Sequence, residues 1–70
     1  MYNLKNTIYI NFDHIVTQGK IEIKNEKREV ILKHHFNNSN FEKLDMKDKK
    51  GKFKVNVSYE AITYTRIIVL

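Results

Sequence analysis

Seventy residues with 13 Lys/Arg against 8 Asp/Glu give a basic chain of formal charge +5 that contains no cysteine. That length predicts one small domain, residues 1–70, burying only about 60% of its unfolded surface and so marginal in stability. The absent cysteines exclude disulfide frameworks and thiolate metal cages, and no apolar run nears the roughly 20 residues of a membrane span.

Five strands are predicted, and no proline interrupts any of them. In the first, Thr7–Asp13, Ile8, Ile10 and Phe12 alternate with Tyr9, Asn11 and Asp13, a period of two that only extended chain places on opposite faces. The second, Lys20–Asn25, alternates Ile21 and Ile23 with Lys20, Glu22 and Lys24; the third, Glu29–Phe36, puts Val30, Leu32, His34 and Phe36 on one side. These two are expected to pair as a hairpin, Ile23 opposite Val30, Ile21 opposite Leu32 and Lys24 opposite Glu29. Asn25–Arg28 would form a four-residue loop on a type I turn, since no Asn-Gly or Asp-Gly is present for a two-residue turn.

Asn37-Asn38-Ser39-Asn40 reads as a loop. After it, Ser39-Asn40-Phe41-Glu42 matches a helix capping box, which suggests a short helix near residues 40–47. Alternation of Leu44 and Met46 supports a strand there instead, running into a lysine-rich turn at Asp48–Gly51. The fourth strand, Lys52–Tyr59, sets Phe53, Val55, Val57 and Tyr59 against Lys52, Lys54, Asn56 and Ser58. A break at Glu60-Ala61 leads to the fifth, Ile62–Leu70. That strand ends in Ile67-Ile68-Val69-Leu70, apolar on both faces. A second copy of the chain is the expected cover for it, the alternative being Tyr2 and Leu4 of the same chain.

Catalytic chemistry finds little footing. Asp13 and His14 are sequence neighbours, so a regular strand would turn them to opposite faces. His34 and His35 diverge in the same way and have no third ligand at metal spacing. His34, on the apolar side, is expected to be satisfied by a backbone carbonyl. Two glycines, Gly19 and Gly51, cannot make a phosphate loop. The chain is therefore read as non-catalytic, with no metal or cofactor.

Charge says more. Six lysines between residues 43 and 54 face only Asp45 and Asp48, so +4 of the +5 sits in that stretch. Such a local potential attracts polyanions, although lysine-rich loops also serve solubility and protect sheet edges. Lys47, Lys49, Lys50, Lys52 and Lys54 would neutralise phosphates, while Tyr59, Tyr64 and Arg66 could stack on unpaired bases, with Tyr9 and Arg28 as further candidates.

Five short strands with a tight last turn suggest a small SH3-like barrel, and three segments resemble its Sm-like version. Gln18-Gly19-Lys20-Ile21 is similar to the glycine-marked second strand of bacterial Sm-like RNA chaperones, and Glu29-Val30-Ile31-Leu32-Lys33 resembles their third. Ser58-Tyr59-Glu60-Ala61-Ile62-Thr63 is similar to the turn between their last two strands. The resemblance spans roughly residues 8–68 and implies a ring or dimer assembled through the fourth and fifth strands. It departs where that family carries a Tyr-Lys-His run contacting RNA: Tyr59 matches, but Glu60 and Ala61 replace the basic pair. The family's N-terminal helix has no counterpart.

The reading is thus an all-β, five-stranded SH3-like/Sm-like barrel, cytoplasmic, self-associating through Ile67–Leu70, and binding RNA or single-stranded DNA. Its alternative is a protein-interaction module, such as a small regulator or inhibitor of the kind mobile elements carry, that docks on an acidic protein.

Overall fold

A computed structural model describes all residues, Met1–Leu70. It holds five strands and no helix: β1 (Tyr2–Leu4), β2 (Thr7–Lys24), β3 (Val30–Asp45), β4 (Lys52–Tyr59) and β5 (Ile62–Val69). They form one antiparallel sheet curled into a half-barrel, the all-β class that the alternation implies. No helix is long and apolar enough to cross a membrane.

The first two predicted strands are one. β2 runs 18 residues, about three times the usual length, because it is central at both ends. Its first half pairs with β1 and the end of β3; its second half pairs with the start of β3 and with β4. The halves join at an irregularity where Asn11 faces Phe41 and Val16 faces Ser39. Four residues of β2, Phe12–Ile15, thus stand opposite the single Asn40, an irregularity that bends the sheet and is larger than an ordinary two-against-one bulge. Val16, just past the bulge, is buried in the same phase as Ile8 and Ile10, and the inward phase changes only between Val16 and Ile21, all of these residues and Ile23 being fully buried.

The β2–β3 hairpin forms, with a register shifted from the expected one by one residue at Lys24 and by two at Ile23 and Ile21. Ile23 faces Leu32, Ile21 faces His34 and Lys24 faces Val30. Two local features each add one residue. Asn25 pairs with Glu29 through a backbone bond (3.0 Å), while the Asn25 side-chain oxygen accepts from the N–H groups of Lys27 and Glu29. That arrangement closes the turn over Asn25–Arg28 and places Arg28 at φ +66°. A bulge at Ile31 then supplies the second shift. A one-residue slip would have turned the apolar set to solvent; two restore it.

Residues 37–45 are strand, not loop and helix. The first half of β2 offers Asn11–Thr7 as a ladder partner to Phe41–Asp45, which outweighs a capping signal in a short segment. Asn38 takes φ +49° at the bend, and the Ser39 hydroxyl accepts from the Phe41 N–H and donates to the Glu42 carboxylate. Leu44 and Met46 are buried at alternate positions, as the strand alternative requires.

The core is a single cluster of twelve apolar side chains, among them Ile8, Ile10, Val16, Ile21, Ile23, Val55 and Val57, all sealed from solvent. β4 occupies its predicted bounds, with Phe53, Val55 and Val57 inward. The terminal residues divide. Ile68 is buried, and Leu70 packs on the core while its backbone pairs with Gly51; Ile67 and Val69 are 55% and 66% exposed. Tyr2 and Leu4 do not wrap this end, because β1 pairs with Thr7–Tyr9 of β2 and leaves both side chains exposed.

Candidate nucleic-acid interface

Cross-strand partners share a face, so the registers assign each candidate residue within a strand to a side of the sheet. Lys52 and Lys54 of β4 pair with Val69 and Ile67 of β5 on the outer face. Tyr64 and Arg66 pair with the buried Val57 and Val55 and so lie on the inner side, together with Tyr59. Lys52 and Lys54 therefore lie on the face opposite to Tyr59, Tyr64 and Arg66, whereas Tyr9, alternating with the buried Ile8 and Ile10, is on the outer face.

On the outer face, Lys54 is directly opposite Lys24 of β2. Like charges set against each other across a ladder destabilise it, by roughly 0.2–1 kcal/mol. Arg28, held in the left-handed region by the Asn25 turn, joins them. These residues enclose a cleft of about 360 Å3 lined by Lys24, Asn25, Arg28 and Lys54, with no carboxylate in its wall. Lys24 reaches the Glu22 carboxylate only at 3.8 Å, and neither Arg28 nor Lys54 forms an ion pair. An adjoining cleft of about 260 Å3 shares Asn25, Arg28 and Lys54 and adds Glu26, Lys52, Phe53 and Ile67. Three cations line the first of these clefts, a concentration of positive charge that attracts anions, while the Asn25 amide N–H is already taken by the Glu29 carboxylate at 3.0 Å.

Lys24 was not singled out from sequence. The signal was present, since Lys24 and Lys54 both lie on the polar sides of their strands, but only the β2–β4 register makes them neighbours. That pairing is between strands separated by all of β3.

Lys47, Lys49 and Lys50 lie on the turn leading into β4, where Lys50 borders a further cleft of about 220 Å3 with Asn25, Lys52 and the carboxylates Glu26 and Glu29. Asp45 accepts from the Lys47 N–H (2.8 Å), and the Asn6 side chain donates to the Lys47 carbonyl (2.7 Å). Asn6 thereby ties the lysine turn to the Lys5-Asn6 turn between β1 and β2, adding Lys5 to the same basic end of the molecule.

The inner face is an aromatic and titratable cluster at the open mouth of the half-barrel. Tyr64 meets Tyr59 edge-on at 6.4 Å, Tyr59 meets Phe12 edge-on at 4.9 Å, and Phe12 lies 5.3 Å from Phe36. The Arg66 guanidinium stands 5.5 Å from the Tyr64 ring centre, a cation–π contact. Burial raises the Tyr64 phenol above its ordinary pKa, with Tyr59 nearby adding to the effect. These rings plug the barrel end and pack on the core.

Two histidines lie beside this plug, and both depart from expectation. The bulge at Phe12–Ile15 breaks the alternation that would separate Asp13 from His14, and the His14 Nδ1 lies 2.6 Å from the Asp13 carboxylate. The His14 Nε2 lies 2.8 Å from a Glu60 carboxylate oxygen on the β4–β5 turn. Hydrogen bonding to Glu60 first, and to Asp13 second, raises the His14 pKa, and the His14 bond lowers that of Asp13. His34 is satisfied by the Glu42 carboxylate, not by a backbone carbonyl, both side chains lying on the inner face of β3 on either side of the bend at Asn38.

The β4–β5 turn, Ser58–Thr63, borders another cleft of about 360 Å3 with Lys20 and His35. Glu60 is in its lining, so its charge is mixed, and it suits a polyanion less well than the Lys24–Arg28–Lys54 cleft. No protein-family model matches this chain, and a search of curated proteins finds no match either.

Proposed function

We propose that this protein binds single-stranded nucleic acid, without catalysis, and that copies associate through β5. The observation carrying this reading is the Lys24–Lys54 pair, set directly opposite across the ladder with Arg28 beside it and no carboxylate in the cleft wall. An arrangement that costs folding energy in the empty protein is offset when a phosphate enters. Lys52 extends the basic surface, and the Lys47–Lys50 turn provides a second contact for the same backbone. Tyr59, Tyr64 and Arg66 face away from this cleft, so their part is to hold the half-barrel's end, with Arg66 the exposed member. The Sm-like resemblance supports the reading at the level of a small β-barrel that binds RNA in the cytoplasm.

Self-association is supported by the unpaired outer edge of β5 and by the exposed Ile67 and Val69. Strand addition there would satisfy the edge and cover both side chains. The same edge favours the second reading, a module that docks on an acidic protein.

The test compares wild type with Lys24→Gln, Arg28→Gln and Lys54→Gln, singly and combined, for affinity to a labelled oligonucleotide across a salt series. Each phosphate contact removed should flatten the log–log salt slope by about 0.7. Affinity and slope unchanged in the triple variant would refute the assignment of the cleft.

A further inference from the structure

Three aromatic rings stand in a column across the outer face of the other end of the sheet. Tyr2 of β1 is directly opposite Tyr9 of β2, with ring centres 4.9 Å apart and planes 21° from parallel. Tyr9 in turn stacks on Phe41 of β3, at 6.1 Å and 25°. β1 and this part of β3 are both edge strands, paired only with β2. The column therefore runs from one sheet edge to the other, and the ring at each end has no strand beyond it. Tyr2 remains 52% exposed and Phe41 43%. Stacking on Tyr9 accounts for one face of each end ring and leaves the rest in water.

We infer that this column is a base-stacking site for single-stranded nucleic acid. The inference rests on the nucleic-acid reading above and assigns the bases, as distinct from the phosphates, to named residues. Every base offers a planar face, and protein rings hold unpaired bases by extending the stack. Charge selects this occupant over other flat or apolar ones. Lys43 is directly across from Tyr9 on the same face, and Lys5 lies in the turn that follows β1. The one carboxylate on this face of β3, Asp45, accepts from the Lys47 N–H and so is turned toward the lysine turn. A strand whose bases cap Tyr2 or Phe41 would find cations on both sides for its backbone.

The experiment titrates Tyr2→Ala, Phe41→Ala and the pair with a labelled oligonucleotide, and repeats the wild-type titration with an abasic oligonucleotide of equal length. Loss of one stacked base corresponds to about ten-fold weaker binding or more. The pair should therefore bind at least ten-fold more weakly, with its salt slope unchanged because no cation is lost. The abasic strand should bind wild type and the pair alike. As a check independent of any loss of fold, Tyr2 and Phe41 ring proton resonances of wild type should shift upfield on titration. Wild-type affinity in the pair, with lysine variants still weakened, would overturn the column while sparing the phosphate cleft. Failure of wild type to bind at low salt would overturn both. Uptake of a proline-rich peptide by the column in place of the oligonucleotide would also overturn the inference.

Discussion

Phe36 lays its ring directly over Gly19, its partner across the β2–β3 ladder, so closely that a Cβ at position 19 would fall 2.1 Å from the ring's Cζ. The glycine is there because the ring needs its space, an arrangement in which an aromatic side chain covers the bare backbone of a strand glycine. Phe36 is itself locked between Phe12 and His34, so it cannot swing aside cheaply. Gly19→Ala should destabilise the fold by about 1–3 kcal/mol, seen as a lower urea midpoint at unchanged m-value. A midpoint equal to wild type would show that the ring is mobile.

The bridge from His14 to Asp13 and Glu60 makes a prediction in pH. Both ring nitrogens face carboxylates, so only the imidazolium can donate to both. His14 should therefore titrate by NMR above its ordinary value of 6.5, and Glu60→Gln should bring it back down. A folded pKa raised above the unfolded one contributes stability in full below the unfolded value and loses it as pH rises through the folded one. Asp13, lowered from 3.8, contributes above that value and loses it as pH falls through its folded pKa. The bridge thus acts from mildly acidic pH to somewhat above 6.5. Because these groups are open to solvent, added salt should shrink the His14 shift.

Lys54→Gln should separate stability from binding. Relief of repulsion from Lys24 gains a few tenths of a kcal/mol, so the melting temperature of the free protein should rise by about 1–3 °C while oligonucleotide affinity falls. A variant that melts lower and binds as well as wild type would show that the pair is structural.

Much of the fold was legible because alternation survives tertiary context. Lys52–Tyr59 read directly from period-two patterning, and the hairpin turn at Asn25–Arg28 was placed correctly although its cross-strand register was not. What could not be read were the irregularities. The bulge at Phe12–Ile15 made one strand look like two and brought Asp13 onto His14, although alternation alone sets them apart. The break at Glu60-Ala61 was legible between the two patterned runs, although the left-handed φ of +49° and +64° it takes there was not, since neither residue is glycine or asparagine. The basic cleft was half legible: Lys52 and Lys54 stood out by charge density, whereas Lys24 needed the β2–β4 register. The Tyr2–Tyr9–Phe41 column joins three strands, and no local pattern links them.

The most direct test is size-exclusion chromatography with light scattering, with and without a fluorescent single-stranded oligonucleotide, at low and moderate salt. The proposed reading predicts a discrete oligomer that co-elutes with the oligonucleotide at low salt and releases it as salt rises. An oligonucleotide that elutes apart from the protein even at low salt would contradict it.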